Sequence, residues 1–320
     1  MKKLVYFSLL FLLFFSCKTE TKKQFETIKV ESVAVTIERF DKLFYESKPE
    51  NLALLKKEYP YLFPSQVEDT VWTNKINDKL LRELYQEVQK KYPNNNELEN
   101  ELGNLFARIQ YYFPKATVPK VITLINEVDK DAKAIYTDSL ALLSLDCYLG
   151  EKHRFYEDFP SYQRIEFNED QMMPDLVKSF SLYKIRYPND NTLLSQMIYY
   201  GKQLYLKDVL LQGFSDEAKI AYSENQLKWC QENETQMWSY FIENKLLFDA
   251  NPKNNFRFIN DAPFSKFYLE IDNESPGRVG QWLGWQIVRS FMKNNAVSLP
   301  EMLAIDAKTL FENSKYKPAK

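Results

Sequence analysis

A twelve-residue apolar run, Leu4 to Phe15, opens the chain between Met1-Lys2-Lys3 and Ser16-Cys17. It is too short to cross a bilayer as a helix, and two lysines before it with a small residue and a cysteine after it give the order of a lipoprotein export signal. Phe14-Phe15-Ser16-Cys17 is a loose lipobox; the rival reading is an ordinary cleaved signal followed by an incidental cysteine. Lipidation at Cys17 is expected, and several acyl chains at roughly 0.8 kcal/mol per buried methylene anchor a protein stably. Residues 1–16 are then the signal peptide, and the mature chain works outside the cytoplasm.

Residues 17–27 are polar after the cysteine and lack an apolar period, which predicts a lipidated tether. Val33, Val35 and Ile37 then alternate with Ala34, Thr36 and Glu38 and predict a strand. Ile76, Leu80, Leu84 and Val88 recur every fourth residue and predict a helix that stops at Tyr92-Pro93. Leu98, Leu102, Leu105, Phe106 and Ile109 share one face of a second helix ending at Phe113-Pro114, and the two are expected to form a hairpin. Between Pro119 and Leu149 the period changes: Val121-Ile122, Leu124-Ile125 and Leu140 to Leu145 read as buried strands, with a loop from Asp146 to Pro160. Helices resume near Glu169. Thr192 to Leu211 is the next strong one and Ser223 to Phe248 the longest, opened by a Ser223/Gln226 capping box. Ser298 and Glu301 repeat that device before a last helix through Phe311. The aromatic-proline stops at Tyr59-Pro60, Tyr92-Pro93 and Tyr187-Pro188 are too unevenly spaced for a repeat protein. No Gly/Ser-rich linker divides residues 28–320, so the pattern predicts one α+β domain, predominantly helical, with a small sheet.

Composition adds two restrictions. A mature chain of roughly 300 residues, drawn from a sequence 45% hydrophobic and 15% aromatic, can bury a substantial core. Loss of the two signal lysines leaves 40 of 42 basic residues against 44 acidic ones and moves the formal charge from -2 to -4, so no basic surplus exists for nucleic acid. Cys147 lies in an apolar stretch and Cys230 follows Trp229 in a helical pattern. Two separate buried thiols are favoured over a disulfide.

His153 is the one histidine. A Ser-His-Asp or Cys-His arrangement would have to use it without a Gly-x-Ser-x-Gly elbow, and a His-Glu-x-x-His zinc helix needs two histidines. No glycine-rich phosphate loop is present. Asp129/Asp131, Glu169/Asp170 and Glu232/Glu234 are candidate acid pairs for a glycosidase, but among 44 acidic residues such neighbours arise by chance. No segment has the spaced Asp/Asn loop of a calcium site. The expectation is a protein without catalytic residues, metal ligands or cofactor.

The densest unusual chemistry lies between Asp272 and Met292. Ser275-Pro276 is a favoured helix start. Gly277, Gly280 and Gly284, three of only seven glycines, follow within a short span. Each glycine inside a helix costs roughly 1 kcal/mol against alanine, which asks for a close approach by another backbone or a ligand. Trp282, Trp285 and Arg289 share a helical face. Two readings compete: tight packing with tryptophans in the core, or a surface for a partner or ligand. The candidate surface comprises Asn233, Glu234, Glu274, Arg278, Trp282, Trp285 and Arg289, with the tryptophans as a stacking platform if exposed.

The signal with Cys17, Met197-Ile198-Tyr199-Tyr200-Gly201-Lys202, Gln226-Leu227-Lys228-Trp229-Cys230 with Asn233-Glu234, Ala262-Pro263-Phe264-Ser265-Lys266-Phe267-Tyr268, Ser275-Pro276-Gly277-Arg278-Val279-Gly280 and Ser314-Lys315-Tyr316-Lys317-Pro318 together resemble the gliding-motility lipoprotein GldB family of the Bacteroidetes, over nearly the whole chain. The resemblance implies a cell-envelope lipoprotein needed for gliding, with protein partners in machinery tied to the type IX secretion system. It supplies no chemical activity. It also implies a fold distantly similar to zincin-like metallopeptidases, in which Tyr200 stands where a ligand glutamate belongs and the preceding helix around Asp175 to Phe180 has no histidine. Such a metal-free descendant would keep a cleft for a peptide or envelope polymer. A carboxylate-dependent envelope hydrolase is the rival. Lys18 after the cysteine favours the periplasmic face of the outer membrane over retention at the inner one.

Overall fold

Four short strands divide the core of the computed structural model, which describes residues 28–319 apart from 271. The signal peptide, the tether and Cys17 lie outside the described residues. Strands β1 (Ile37–Arg39), β2 (Lys120–Leu124), β3 (Ala134–Tyr136) and β4 (Leu140–Ser144) stand in the order β1-β2-β4-β3. β2 runs parallel to both its neighbours, with Val121 opposite Ile37 and Ala141, and β3 pairs antiparallel with β4. Alternation sends successive side chains to opposite faces. Val121, Ala141 and Leu143 therefore enter the larger core, and Ile122, Leu140 and Leu142 meet a smaller one.

The smaller core is aromatic. Helices α1 (Phe40–Tyr45), α2 (Leu52–Glu58) and α3 (Asp69–Asn77) cover this face with Phe40, Phe44, Leu52, Leu55 and Ile76, and α4 (Lys79–Lys91) adds Tyr85. The predicted helix over Ile76 to Val88 is broken between α3 and α4, because Asp78 turns extended and its side chain accepts the Leu81 N–H as an N-cap. Nor do α4 and the next helix, α5 (Asn96–Tyr112), pack as the expected hairpin: α4 lies against α1, α3 and the turn at Leu145, with Tyr85 in the smaller core and Val88 in the larger, whereas Leu102, Leu105, Phe106 and Ile109 of α5 all enter the larger. The early strand is also shorter than its alternation predicts. Val33 leaves the sheet and donates its N–H to the Gly103 carbonyl of α5.

Helices α6 (Ser161–Arg164), α7 (Met172–Ser181), α8 (Leu193–Leu210), α9 (Asp216–Ile220), α10 (Glu224–Glu232), α11 (Glu234–Glu243), α12 (Lys253–Phe258), α13 (Val279–Asn294), α14 (Leu299–Ala304) and α15 (Ala307–Ser314) complete the fold on the larger face. Both predicted capping boxes form, at Ser223/Gln226 and Ser298/Glu301. Each helix they open is shorter than expected. The first breaks at Asn233, whose Nδ2 donates to the Trp229 carbonyl, and the second breaks at Ile305, after which Asp306 caps α15. Cys147 and Cys230 are buried and unpaired.

Helix α8 is the central element, buried along almost its whole length and packed against α7, α13 and α15. A helix apolar around most of its circumference must be enclosed. Its contact with α13 is made by glycines: a Cβ on Gly284 would fall on the Met197 carbonyl, and one on Gly201 would fall on the Gly284 carbonyl. α13 starts later than Ser275-Pro276 predicts. Ser275 instead donates to the Ser265 and Asp272 carbonyls, and Arg278 precedes the helix at a left-handed φ of 63°. No helix among the described residues is long and apolar enough to cross a membrane.

Candidate functional site

Four helices and two turns enclose a cleft of about 370 Å³ beside α8. α7 contributes Asp175 and Lys178, α8 contributes Tyr200, Gln203 and Lys207, and α13 contributes Gln281 from its first turn. The end of α9 adds Lys219 and Ile220, and the 3-10 turn around Glu166 and the segment Ile259 to Asp261 complete the walls. The volume is at the lower end of ligand pockets, roughly 300–1,000 Å³. Two non-glycine residues on the lining are left-handed, Ala221 (φ 55°) and Arg278 (φ 63°), and the Arg278 guanidinium donates to the Ala221 carbonyl at 3.0 Å. Such backbone costs about 1–3 kcal/mol per residue, and it gathers at functional sites.

The charges on this lining differ in how well they are matched. Asp175 pairs with the buried Lys133 at 2.7 Å, and Asp261 pairs with Arg278 at 3.3 Å. Glu166 lies between Lys133 and Arg278, at 3.6 and 3.7 Å. Burial alone would raise the Glu166 carboxyl, but Arg278 and Lys133 hold it below the usual glutamate range. All three acids are thus engaged. Lys207 is not: its ammonium donates to the Lys219 carbonyl at 2.7 Å, and among the described residues no carboxylate pairs with it. Burial pushes Lys207 down to about 7, with repulsion from Lys178 and Arg278 set against attraction from Asp175 and Glu166.

Next to it, Asp208 has every partner it can use. Arg289 Nε and one terminal nitrogen donate to its two oxygens at 2.8 and 2.7 Å, Lys219 at 3.0 Å and Trp285 Nε1 at 2.8 Å. Asp216 takes two more bonds from Arg289, each 2.8 Å. The guanidinium lies 3.7 Å from the Trp285 ring centroid. This network joins α8, α9 and α13 inside the protein.

Of the seven residues proposed from sequence as a partner or ligand surface, the cleft contains Arg278 alone. Trp282 and Trp285 are buried, so the stacking-platform reading is corrected: their helix face meets the core. Arg289 is occupied by Asp208 and Asp216 rather than turned outward. Glu234 is buried and accepts the Tyr316 hydroxyl, Asn233 serves the helix break, and Glu274 is exposed away from the lining. Gly277 and Gly280 lie close to backbone, at the Ala262 and Phe258 carbonyls. The Asp129/Asp131, Glu169/Asp170 and Glu232/Glu234 pairs do not line the cleft, and His153 lies 3.4 Å from Glu87 on α4. Among the described residues no three His, Cys, Asp or Glu side chains form a group that could hold a metal.

Sequence reading missed Lys207, Glu166 and Asp261 as site residues. The available signal was within α8, where Lys202, Lys207 and Asp208 are charged positions in a predominantly apolar helix. A buried charge in such a helix must find a partner or serve a site.

The family model described as gliding motility protein GldB matches residues 18–318. No curated protein and no solved structure matches the chain.

Proposed function

We propose, from the premise that this chain belongs to the GldB family of gliding motility proteins, that it is a non-catalytic accessory of the gliding apparatus that engages a partner or polymer through the cleft beside α8. One observation carries this reading. The cleft is strongly charged, yet each of its acids is neutralised by a neighbouring cation, which leaves no free carboxylate pair for general acid and base work. Paired acids of this kind support binding over carboxylate-dependent hydrolysis. Tyr200 on α8 and Asp175 on α7 line the same cleft, where a metallopeptidase-like scaffold that has lost its metal ligands would, in our reading, keep its binding site. The lipid at Cys17 would hold this domain at the envelope, on the periplasmic face of the outer membrane in our reading, beside other gliding proteins of the type IX secretion machinery.

The test replaces the native gene by one encoding Gln203→Trp, which fills the cleft from α8. Cells should make the protein at normal abundance and fail to spread on a surface, while growth in rich liquid continues. Normal spreading of those cells, or cleavage of casein or cell-wall glycan by the purified wild-type protein, would overturn the proposal.

A further inference from the structure

The cleft lining carries four basic residues, Lys178, Lys207, Lys219 and Arg278, and three acids, Glu166, Asp175 and Asp261. Lys219 is committed to Asp208 and Asp216, and Arg278 to Asp261 and Glu166. Asp175 is satisfied from outside the lining by Lys133. Among the described residues two cations of the lining remain without an acid: Lys207 within the wall and the exposed Lys178.

A buried ammonium with a single carbonyl acceptor is costly, because its desolvation is only partly offset. Substitution by an apolar side chain would relieve that cost. A lysine held in this state beside an open volume fits a group that gains its counter-ion when a ligand arrives. The three fixed acids limit what that ligand can be. They keep Arg278 and Lys133 occupied, so the one unmatched charge within the wall is on Lys207, with the exposed Lys178 outside it, and it seats a single negative group. Tyr200 and Asn260 on the same lining add polar groups of the kind that orient a small ligand.

We propose that the cleft binds a small carboxylate-bearing ligand, with the carboxylate seated on Lys207 and the rest of the molecule directed towards Lys178. The inference rests on the reading of the cleft as the working site and names the chemistry that site recognises. A peptide end and an acidic sugar both present that group.

Calorimetric titration of the full chain in detergent would use four probes: N-acetyl-Ala-Ala, its carboxamide, glucuronate and glucose. We expect saturable binding of N-acetyl-Ala-Ala or glucuronate, whichever source is correct, and no binding of the matching neutral compound. Lys207→Met should weaken that binding about tenfold or more, the size of a lost charge-assisted contact, without lowering the melting temperature. Lys178→Met should weaken it less. Equal binding of neutral and charged probes, saturation by neither acid, or unchanged affinity in Lys207→Met would overturn the proposal. Melting of Lys207→Met well below the wild type would also overturn it, because the lysine would then be structural. Surface spreading separates the two readings: a Lys207→Met strain that loses binding but spreads normally keeps the ligand chemistry and refutes the cleft as the gliding site.

Discussion

Lys207 and Asp208 are sequence neighbours on one buried helix, yet their surroundings oppose each other. Asp208 is fully enclosed and accepts from Arg289, Lys219 and Trp285. Lys207 reaches one backbone carbonyl and lines an open cleft. A buried charge with all its partners fixes the relative positions of the elements that supply them, here α8, α9 and α13. One with too few partners is a standing cost that a purely structural role would remove. Burial therefore separates neither kind from the other; the partner inventory does.

Gly284→Leu attacks both environments at once and should have the largest effect. Its Cβ has no space at the Met197 carbonyl, so α13 must move off α8, and a loss of about 5 kcal/mol or more is expected, beyond ordinary overpacking. Denaturant unfolding, or the absence of soluble protein, reports it. Arg289→Ala strikes only the enclosed network. It leaves buried Asp208 short of its main cation, and about 3–5 kcal/mol should be lost in the same measurement, with Arg289→Lys recovering part of it. A neutral Arg289→Ala would break the comparison, because the network would then contribute nothing.

Titration sharpens the contrast. Burial lowers Lys207 to about 7 and Lys202 to about 8, from 10.5 in both cases. Between pH 7 and 9 the unfolded chain keeps both protons while the folded chain releases them, so stability should rise with pH, by up to roughly 1.4 kcal/mol per pH unit for each lysine. Below pH 7 both states hold the Lys207 proton, and its contribution is flat at its least favourable level. Lys207→Met should flatten the slope measured by denaturant unfolding at pH 7, 8 and 9. An unchanged slope would place Lys207 in a more solvated setting than the cleft gives it. The smallest effect belongs to the exposed Lys178→Met, expected within about 0.5 kcal/mol of the wild type.

Local signals in the chain were legible where one or two side chains decide the outcome. Ser223 and Ser298 open helices where their spacing predicts, and α8 begins as expected at Thr192, whose side chain accepts the Ser195 N–H. Breaks at Asn233 and Asp306 were harder to read, because a polar residue in mid-pattern looks like a solvated face until its hydrogen bond is seen. Strand β3 was missed, since Ala134-Ile135-Tyr136 is too short to show a period and is fixed by pairing with β4. The site was least legible. Glu166, Lys207, Asp261 and Arg278 lie far apart in sequence and meet only through the packing of α7, α8 and α13. The tryptophans drew attention by their rarity, yet they sit on the buried side of a helix whose flanking Leu283, Ile287 and Val288 already indicated enclosure.

Where α8 crosses α13, carbonyl and α-carbon atoms of the two helices touch with no side chain between them. Side chains yield under load by changing rotamer; two backbones in van der Waals contact have no such freedom. The joint is a hard bearing rather than a cushion. Tyr200 and Gln203 on one side and Gln281 on the other are carried by the two halves of that bearing, so the inner wall of the cleft should keep its shape when the anchored domain is pulled. Any widening must then come from the other walls, α7, the end of α9, the Glu166 turn or the Ile259 to Asp261 segment, which have no such joint with α8.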